Sequence, residues 1–247
     1  MKIIPLSEGS FTIDQTKVFV PFNKEQDVLH HRPAGSLLVE VQPFVVVTEK
    51  DIILIDTGLG FSEPGGMPQL HRNLRNNGIE PASVTKILLS HLHKDHAGGI
   101  QVKTNDAAEP TLSFPNATYY VNKSELTYAL EHTGKSYDQS QFSILANSNN
   151  LVLLEDHGTI DGYIQYEVSG AHSLYHTVFW ITNGNEKIFY GGDVAPQLQQ
   201  MKNRFVAKYD LDGRKSMELR SRWWEEGKAG HWTFLFYHDI KSPSIAL

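Results

Sequence analysis

His91-Leu92-His93-Lys94-Asp95-His96 places four side chains able to ligate a metal within six residues. This stretch decides how the rest of the chain is read. Histidine fills 12 of 247 positions, so three at fixed places in one window arise by accident on the order of 0.03 times per chain, before the aspartate is required. The ordinary alternative is a set of exposed histidines in a polar loop. The run Lys86-Ile87-Leu88-Leu89 predicts a strand that ends by delivering His91, and Gly98-Gly99 argue against a long regular helix through the motif. On a turn after a strand, side chains at 91, 93, 95 and 96 can fan out around more than one centre, whereas a continuous helix points 93 away from 91 and 95. Two metal ions are sterically compatible with that turn.

The chain contains no cysteine, so disulfides and thiolate ligands are excluded and any metal must be held by histidine and carboxylate. A length of 247 residues fits one large domain or two small ones, and the absence of a Pro/Gly/Ser-rich linker predicts a single domain over 1–247. Hydrophobic residues make up 40% and charged residues 20%, with a formal net charge of -6. That balance is ordinary for a globular protein and offers no electrostatic footprint for nucleic acid. The start, Met1-Lys2-Ile3-Ile4-Pro5-Leu6-Ser7-Glu8, lacks a long apolar core, and no later stretch approaches the roughly 18 apolar residues of a membrane span. The expectation is a cytoplasmic protein acting on a small molecule, with no nucleic-acid or membrane partner. Oligomeric state stays open; Trp223 and Trp224 could face a partner, although helical spacing sends one of them to the core.

Two stretches look like distant copies of each other, Pro43 to Gly58 and Thr177 to Asp193. Each is an apolar strand, a polar turn and a second apolar strand that ends at an aspartate beside glycine. Either the fold has two similar halves, or two buried hairpins merely look alike. Helices are expected over Gln69 to Asn76, stopped at Gly78; from a capping box of Asn122 and Glu125 to about Glu131; and from about Arg214 to Glu226, with Asp212 as N-cap. Strands are expected at Lys86 to Leu89, Thr118 to Val121, Leu151 to Leu154, Ile164 to Val168 and Trp232 to Phe236, and one near Phe11 to Val20. Lys103 to Thr111 and Ala146 to Asn150 read as surface loops. This order of strands and helices indicates a layered α/β domain.

The motif at 91–96, with the preceding Ile53-Leu54-Ile55-Asp56-Thr57-Gly58, resembles the H-x-H-x-D-H signature and upstream Asp-Thr-Gly strand of the metallo-β-lactamase-fold hydrolases. Gly170-Ala171-His172-Ser173-Leu174-Tyr175-His176-Thr177 is similar to that family's P-G-H-T-P-G-H-T turn, Tyr190-Gly191-Gly192-Asp193 to its G-D strand end, and Tyr237-His238-Asp239 to its last histidine. The resemblance implies an αβ/βα four-layer sandwich, two packed mixed sheets flanked by helices. It also implies two divalent ions, zinc first and iron or manganese as alternatives. His91, His93 and His172 would hold one ion, Asp95, His96 and His238 the other, and Asp193 would bridge both. The turn departs from the common form at Ala171, Leu174 and Tyr175, so either His172 or His176 could be the ligand, with the register favouring His172. Asp56 would orient a ligand histidine, or else be a turn residue paired with Thr57 and Gly58. Asp239 and His231 are expected to be solvated, and His30 and His31 to be ordinary loop residues.

Such a pair of ions would share a metal-bridging hydroxide and polarise the bond under attack. The implied reaction is hydrolysis of a small ester-type bond: a lactone, carboxylic ester or phosphoester. A G-x-S-x-G elbow is missing near the site, which argues against a covalent serine route. Gly192-Asp193-Val194-Ala195-Pro196, Tyr209-Asp210-Leu211-Asp212, the helix with Arg220 and Arg222, and Phe236-Tyr237-His238-Asp239 look like the branch holding N-acyl homoserine lactonases and the methyl parathion hydrolase group. Only nine residues follow His238, which leaves no room for the helical domain of glyoxalase II enzymes. Some lactonases place a tyrosine shortly after the bridging aspartate; here Val194, Ala195 and Pro196 stand there. Tyr175 and Tyr237 are the substitute candidates for donating to a developing oxyanion, if they do not simply pack. Asp95 is counted with them among the catalytic groups as well as among the ligands. The competing readings are a mononuclear iron enzyme resembling the persulfide dioxygenases, and a non-catalytic member of the fold.

Overall fold

Along Phe44 to Ile55 the odd and even side chains part company, and that alternation builds the molecule. Val45 and Leu54 enter one apolar cluster while Phe44, Val46, Ile53 and Ile55 enter another, all of them fully buried. A strand buried on both faces reads as an unbroken apolar run, which is why both hairpins stand out in the sequence. The computed structural model describes residues 1–103, 109–134 and 136–247.

The chain opens with β1 (Lys2–Pro5), followed by β2 (Gly9–Ile13), β3 (Val20–Pro21) and β4 (Leu37–Val41), the last three forming a small sheet in the order β3-β2-β4. β5 (Phe44–Val47) and β6 (Ile52–Ile55) form the first hairpin, and α1 (Gln69–Asn76) carries the chain to β7 (Lys86–Leu88), parallel to β6. After the single-turn α2 (Lys94–Ala97) come the short pair β8 (Gln101–Val102) and β9 (Thr111–Leu112). β10 (Thr118–Asn122), α3 (Lys123–Glu131), α4 (Gln139–Phe142) and β11 (Leu151–Leu154) complete this half. The second half runs through β12 (His157–Ile160), β13 (Ile164–Val168), β14 (Thr177–Asn183) and β15 (Glu186–Tyr190). It then passes through α5 (Leu198–Lys202) and α6 (Gly213–Gly230) to β16 (Thr233–Leu235) and β17 (Ser244–Ala246).

Two mixed six-stranded sheets result, β1-β5-β6-β7-β10-β11 and β12-β13-β14-β15-β16-β17. Their inner faces meet in one cluster that includes Val46, Ile55 and Leu88 from the first and Phe179, Ile181 and Leu235 from the second. The outer face of the first sheet is covered by Leu70 and Leu74 of α1 and Leu126 and Ala129 of α3. The outer face of the second is covered by Trp223 of α6 with Leu198 and Met201 of α5. The layers are therefore helix, sheet, sheet, helix. The two sequence look-alikes form corresponding hairpins, β5-β6 and β14-β15, each followed by a parallel neighbour, β7 and β16. Among the described residues no helix is long and apolar enough to cross a membrane.

The strand expected near Phe11 to Val20 is broken. The Asp14 carboxylate accepts from the Thr16 amide and hydroxyl and the Asp14 carbonyl from the Lys17 amide, so the chain turns instead of continuing. Asn122 caps α3 by accepting from Ser124 and Glu125, but Glu125 does not reach back to complete a capping box; its Oε1 accepts from the Leu92 amide at 2.9 Å. Helix α6 starts after Asp212 as expected and runs four residues beyond Glu226, to Gly230. Within the Lys103 to Thr111 loop, residues 104–108 lie outside the described residues.

At one rim of the sandwich an ionic knot ties the two sheets. Asp51 in the β5-β6 turn accepts from Lys86 Nζ at 2.6 Å, from Thr85 Oγ1 at 2.7 Å and from the Tyr163 hydroxyl of the β12-β13 turn, while Lys86 also pairs with Asp161 at 3.0 Å. Burial alone would raise the Asp51 carboxyl, but Lys86, Tyr163 and Thr85 hold it below its ordinary 3.8. A depressed carboxyl stabilises the fold at pH above the unfolded value and loses that contribution as pH falls through the folded one. We expect Asp51→Asn to cost about 1 kcal/mol at pH 7 after allowance for solvent screening. The difference from the parent in chemical denaturation should shrink toward zero as pH is lowered below 4; a difference that stayed constant would disprove the assignment.

Candidate metal centre

The six-residue motif begins where β7 ends. Leu92 plugs the outer core of the first sheet and is fully buried, which turns the flanking His91 and His93 to the other side. His93 is the N-cap of α2, and the one turn of that helix presents Asp95 and His96. The turn is pinned by Thr57, whose amide and hydroxyl both donate to the His96 carbonyl, at 2.7 and 2.9 Å. Backbone lies against backbone here: a Cβ on Gly98 would sit 2.3 Å from Leu59 carbonyl atoms, and one on Gly60 would sit 2.1 Å from the Gly98 carbonyl oxygen. Only glycine permits that approach.

The remaining donors come from the second sheet. His172 lies in the loop between β13 and β14, Asp193 in the short helical turn Gly192–Val194 after β15, and His238 after β16. Five histidines and two aspartates converge in two adjoining sets, His91, His93, His172 and Asp193 in one, Asp95, His96 and His238 in the other. Six of the seven are buried and His93 is half-buried.

In the first set His91 Nε2 is 2.9 Å from His93 Nδ1, His172 Nε2 is 3.2 Å from His93 Nδ1, and Asp193 Oδ2 is 3.3 Å from His172 Nε2 and 3.9 Å from His91 Nε2. In the second, Asp193 Oδ1 is 3.1 Å from His96 Nε2 and 3.0 Å from His238 Nε2. Asp95 Oδ2 stands 3.7 and 3.4 Å from the same two nitrogens. The two Asp193 oxygens thus face different sets. Ligand bonds of 2.0–2.2 Å in a tetrahedral site imply donor separations of roughly 3.4 Å, and these spacings bracket that value. His96 Nε2 and Asp193 Oδ1 are buried without a hydrogen-bond partner among the described residues. Nitrogen and carboxylate donors aimed inward with unspent lone pairs fit zinc, iron or manganese.

Four of the five rings are held by the far nitrogen. His96 Nδ1 donates to Asp56 Oδ2 at 2.8 Å, His172 Nδ1 to Asp210 Oδ1 at 3.0 Å, His238 Nδ1 to the Glu40 carbonyl at 2.7 Å and His91 Nδ1 to Ser90 Oγ at 3.0 Å. Such partners fix the tautomer that turns Nε2 toward the centre. Asp56, fully buried at φ 55, also accepts from the Ser90 amide and hydroxyl at 2.7 Å and from the Tyr190 hydroxyl. The carboxylate is therefore saturated, as a buried charge must be.

Charge divides between the sets. Burial, helped by neighbouring histidines, pushes His91 and His93 well below the ordinary 6.5. Burial pulls His96 and His238 the same way, but Asp193 and Asp95 outweigh it and hold both above that value. Burial would raise Asp193; His238, His96 and His172 instead hold it well below the carboxylate range.

The two histidines of the second-half turn separate clearly. His172 joins the cluster, whereas both His176 nitrogens are spent elsewhere: Nε2 accepts from the Asp193 amide at 3.1 Å and Nδ1 faces Ser169 Oγ at 3.3 Å. A Cβ on Gly192 would stand 2.6 Å from His176 Nε2, so this histidine seats the turn that presents Asp193. Tyr237 differs from the expectation of a free donor. It is fully buried, stacks on His96 with ring centroids 4.1 Å apart and donates to the Asp95 carbonyl at 2.5 Å. Its hydroxyl is committed to the turn that carries Asp95 and His96. Tyr175 is half-buried, 6.1 Å from the Tyr128 ring, with no hydrogen bond to its hydroxyl among the described residues. Asp239 is not merely solvated; it accepts from the Leu198, Lys241 and Ser242 amides and shapes the chain after His238.

Sequence reasoning gave no role to Asp210, Ser90 or Tyr190, and read Glu125 only as a capping residue. Asp210 lies in the Tyr209 to Asp212 stretch, and the buried Arg220 stands 4.0 Å from its carboxylate while donating to the Val194 carbonyl at 2.8 Å. A guanidinium spaced to reach an aspartate from a helix was the available signal.

Among solved structures, a probable metal-dependent hydrolase from Staphylococcus aureus is similar with a TM-score of 0.80 and 23% identity, over 99% of this chain and 91% of that one. AidC, a dizinc quorum-quenching lactonase, gives 0.73 and 20%, over 98% and 88%. Among curated proteins, the lactamase-like protein adaB of Aspergillus niger is 37% identical over 73 residues, 30% of this chain and 22% of that relative, so the match spans about a fifth of the relative's length. The family described as the metallo-beta-lactamase superfamily matches residues 38–242, a span that contains every residue of the cluster, and the chain belongs to that superfamily.

Proposed function

We propose that this protein is a dinuclear metal-dependent hydrolase that cleaves a small ester-type bond, a lactone, carboxylic ester or phosphoester. The observation that carries the reading is Asp193, one carboxylate whose two oxygens each face a separate set of histidines. Ions bound in both sets would acidify water and polarise the bond under attack. His91, His93 and His172 would hold one, Asp95, His96 and His238 the other. Zinc is the first candidate, supported by the dizinc centre named for AidC, with iron and manganese as alternatives.

The chain's own residues do the rest. Asp56, Asp210 and the Glu40 carbonyl hold three imidazoles in the tautomer that a ligand needs. Tyr237 fixes the backbone of Asp95. Ser90 is spent on Asp56 and the chain has no cysteine, which supports activated water as the nucleophile. Small-molecule chemistry is further supported by relatives crystallised with N-hexanoyl-L-homoserine, a lactone-opening product.

Purified protein should carry two divalent ions per chain by elemental analysis, lose hydrolysis of a lactone, aryl ester and phosphotriester panel on chelation, and regain it with zinc or manganese. One iron per chain with oxygen consumption would replace the reading by the dioxygenase alternative, and a metal-loaded protein inert on the whole panel would point to a non-catalytic member. His172→Ala should drop the content toward one ion and abolish turnover, whereas His176→Gln should keep two; the opposite pattern would reverse the ligand assignment. Asp210→Asn should keep the fold but lower metal affinity or kcat/KM by about 10–100-fold, seen in competition with a chromogenic chelator.

A further inference from the structure

Ser216, Arg220, Trp223 and Gly227 recur at three- and four-residue spacing, so they share the buried face of α6. Trp223 fits there as part of the outer core of the second sheet. Arg220 is harder to explain: a cation with 1% exposure gives up its hydration, and an apolar side chain of similar size in such a place is often neutral or stabilising. Its contacts supply the reason. Nη1 donates to the Val194 carbonyl at 2.8 Å and stands 4.0 Å from Asp210 Oδ2, while Nη2 donates to the Phe205 carbonyl. Val194 directly follows Asp193, in the turn that presents that carboxylate to both sets. Asp210 holds His172 Nδ1 at 3.0 Å through its other oxygen, and the residues after it bind the same loop: the Leu211 amide donates to the His172 carbonyl at 3.1 Å and the Asp212 amide to the Ala171 carbonyl at 2.8 Å. Among the described residues Arg220 is the only lysine or arginine that pairs with Asp210.

We infer that Arg220 is a positioning residue of the metal centre: it locks the turn that carries Asp193 against the segment that carries Asp210, and so fixes His172 and Asp193 at the spacing that an ion in the first set requires. That spacing is 3.3 Å between His172 Nε2 and Asp193 Oδ2. A planar guanidinium serves acceptors from three segments at once, which an ammonium cannot do in the same geometry. The dependence is uneven between the sets. Two of the four donors of the first set, His172 and Asp193, are reached from Arg220, whereas His96 and His238 are held by Asp56 and the Glu40 carbonyl. The inference rests on the two-ion reading and needs no turnover.

The full chain and its Arg220→Met, Arg220→Lys and Asp210→Asn variants are stripped of metal and titrated with cobalt(II) against a colourless chelator, the visible absorption of bound cobalt giving the affinity of each ion. The parent should take up two ions. Arg220→Met should weaken one of them by about tenfold or more and the other by less than about threefold, with Arg220→Lys in between. In a His172→Ala background, which keeps only the second set, Arg220→Met should change the affinity by less than about threefold. Combining Arg220→Met with Asp210→Asn should lose little more than the larger single loss, because the two side chains act in one line of contacts. No weakening, equal weakening of both ions as a general loss of structure would give, or losses that multiply in the Asp210→Asn combination would each overturn the inference. If Arg220→Met does not fold, Arg220→Lys carries the same comparisons. A parent that binds one ion removes the two-ion reading, and the inference then stands if that ion weakens in Arg220→Met and falls if it does not; a parent that binds none removes both.

Discussion

Seven side chains able to ligate a metal, crowded into a largely buried pocket, would repel one another and lose hydration with nothing in return, unless most of the rings were held at the far end. The structure meets that constraint with an outer ring of partners: Asp56 on His96, Asp210 on His172, the Glu40 carbonyl on His238 and Ser90 on His91. In these four rings the near-side nitrogen is then free to face inward while the far-side nitrogen is satisfied. Asp193 is the part on which the two sets depend, because its oxygens are shared between them and its low carboxyl pKa is set by the histidines that it joins.

The sandwich supplies these groups from equivalent places. Asp56 follows β6 and Asp193 follows β15; His91 follows β7 and His238 follows β16. Parallel strands that end side by side put their next residues at one rim, and two sheets packed face to face bring two such rims together. The Asp51 knot and the inter-sheet core then keep the sheets in register, so the ligand loops need not be rigid by themselves. Gly60, Gly98 and Gly192 are required because loops from different strands touch backbone or ring where a Cβ has no room.

Local signals were the legible part. Alternation of apolar residues exposed both hairpins, the helix bounds of α1 follow from Leu70 and Leu74 with Gly78 beyond, and the crowding of residues 91–96 pointed to a metal without any other help. Signals failed where one side chain had two possible partners. Glu125 stands at capping-box spacing but its carboxylate meets the Leu92 amide, a residue 33 positions away in the chain. Phe11 to Val20 has strand-forming residues, yet the Asp14 carboxylate closes a turn on Thr16 and ends the strand. Tyr237 has the position of a donor beside a ligand, but the nearest acceptor is the Asp95 carbonyl.

By itself, then, the sequence determined which chemistry was available: histidine and carboxylate without thiolate, a metal motif on a turn after a strand, and two buried hairpins to build around. Those properties depend on residue type and short spacing, which are written along the chain. Tertiary structure decided that His172 and not His176 faces the cluster, and that Asp210 and the Glu40 carbonyl hold two of its imidazoles. Each of these depends on contacts between segments far apart in sequence, where direction and hydrogen-bond competition, not composition, choose the partner.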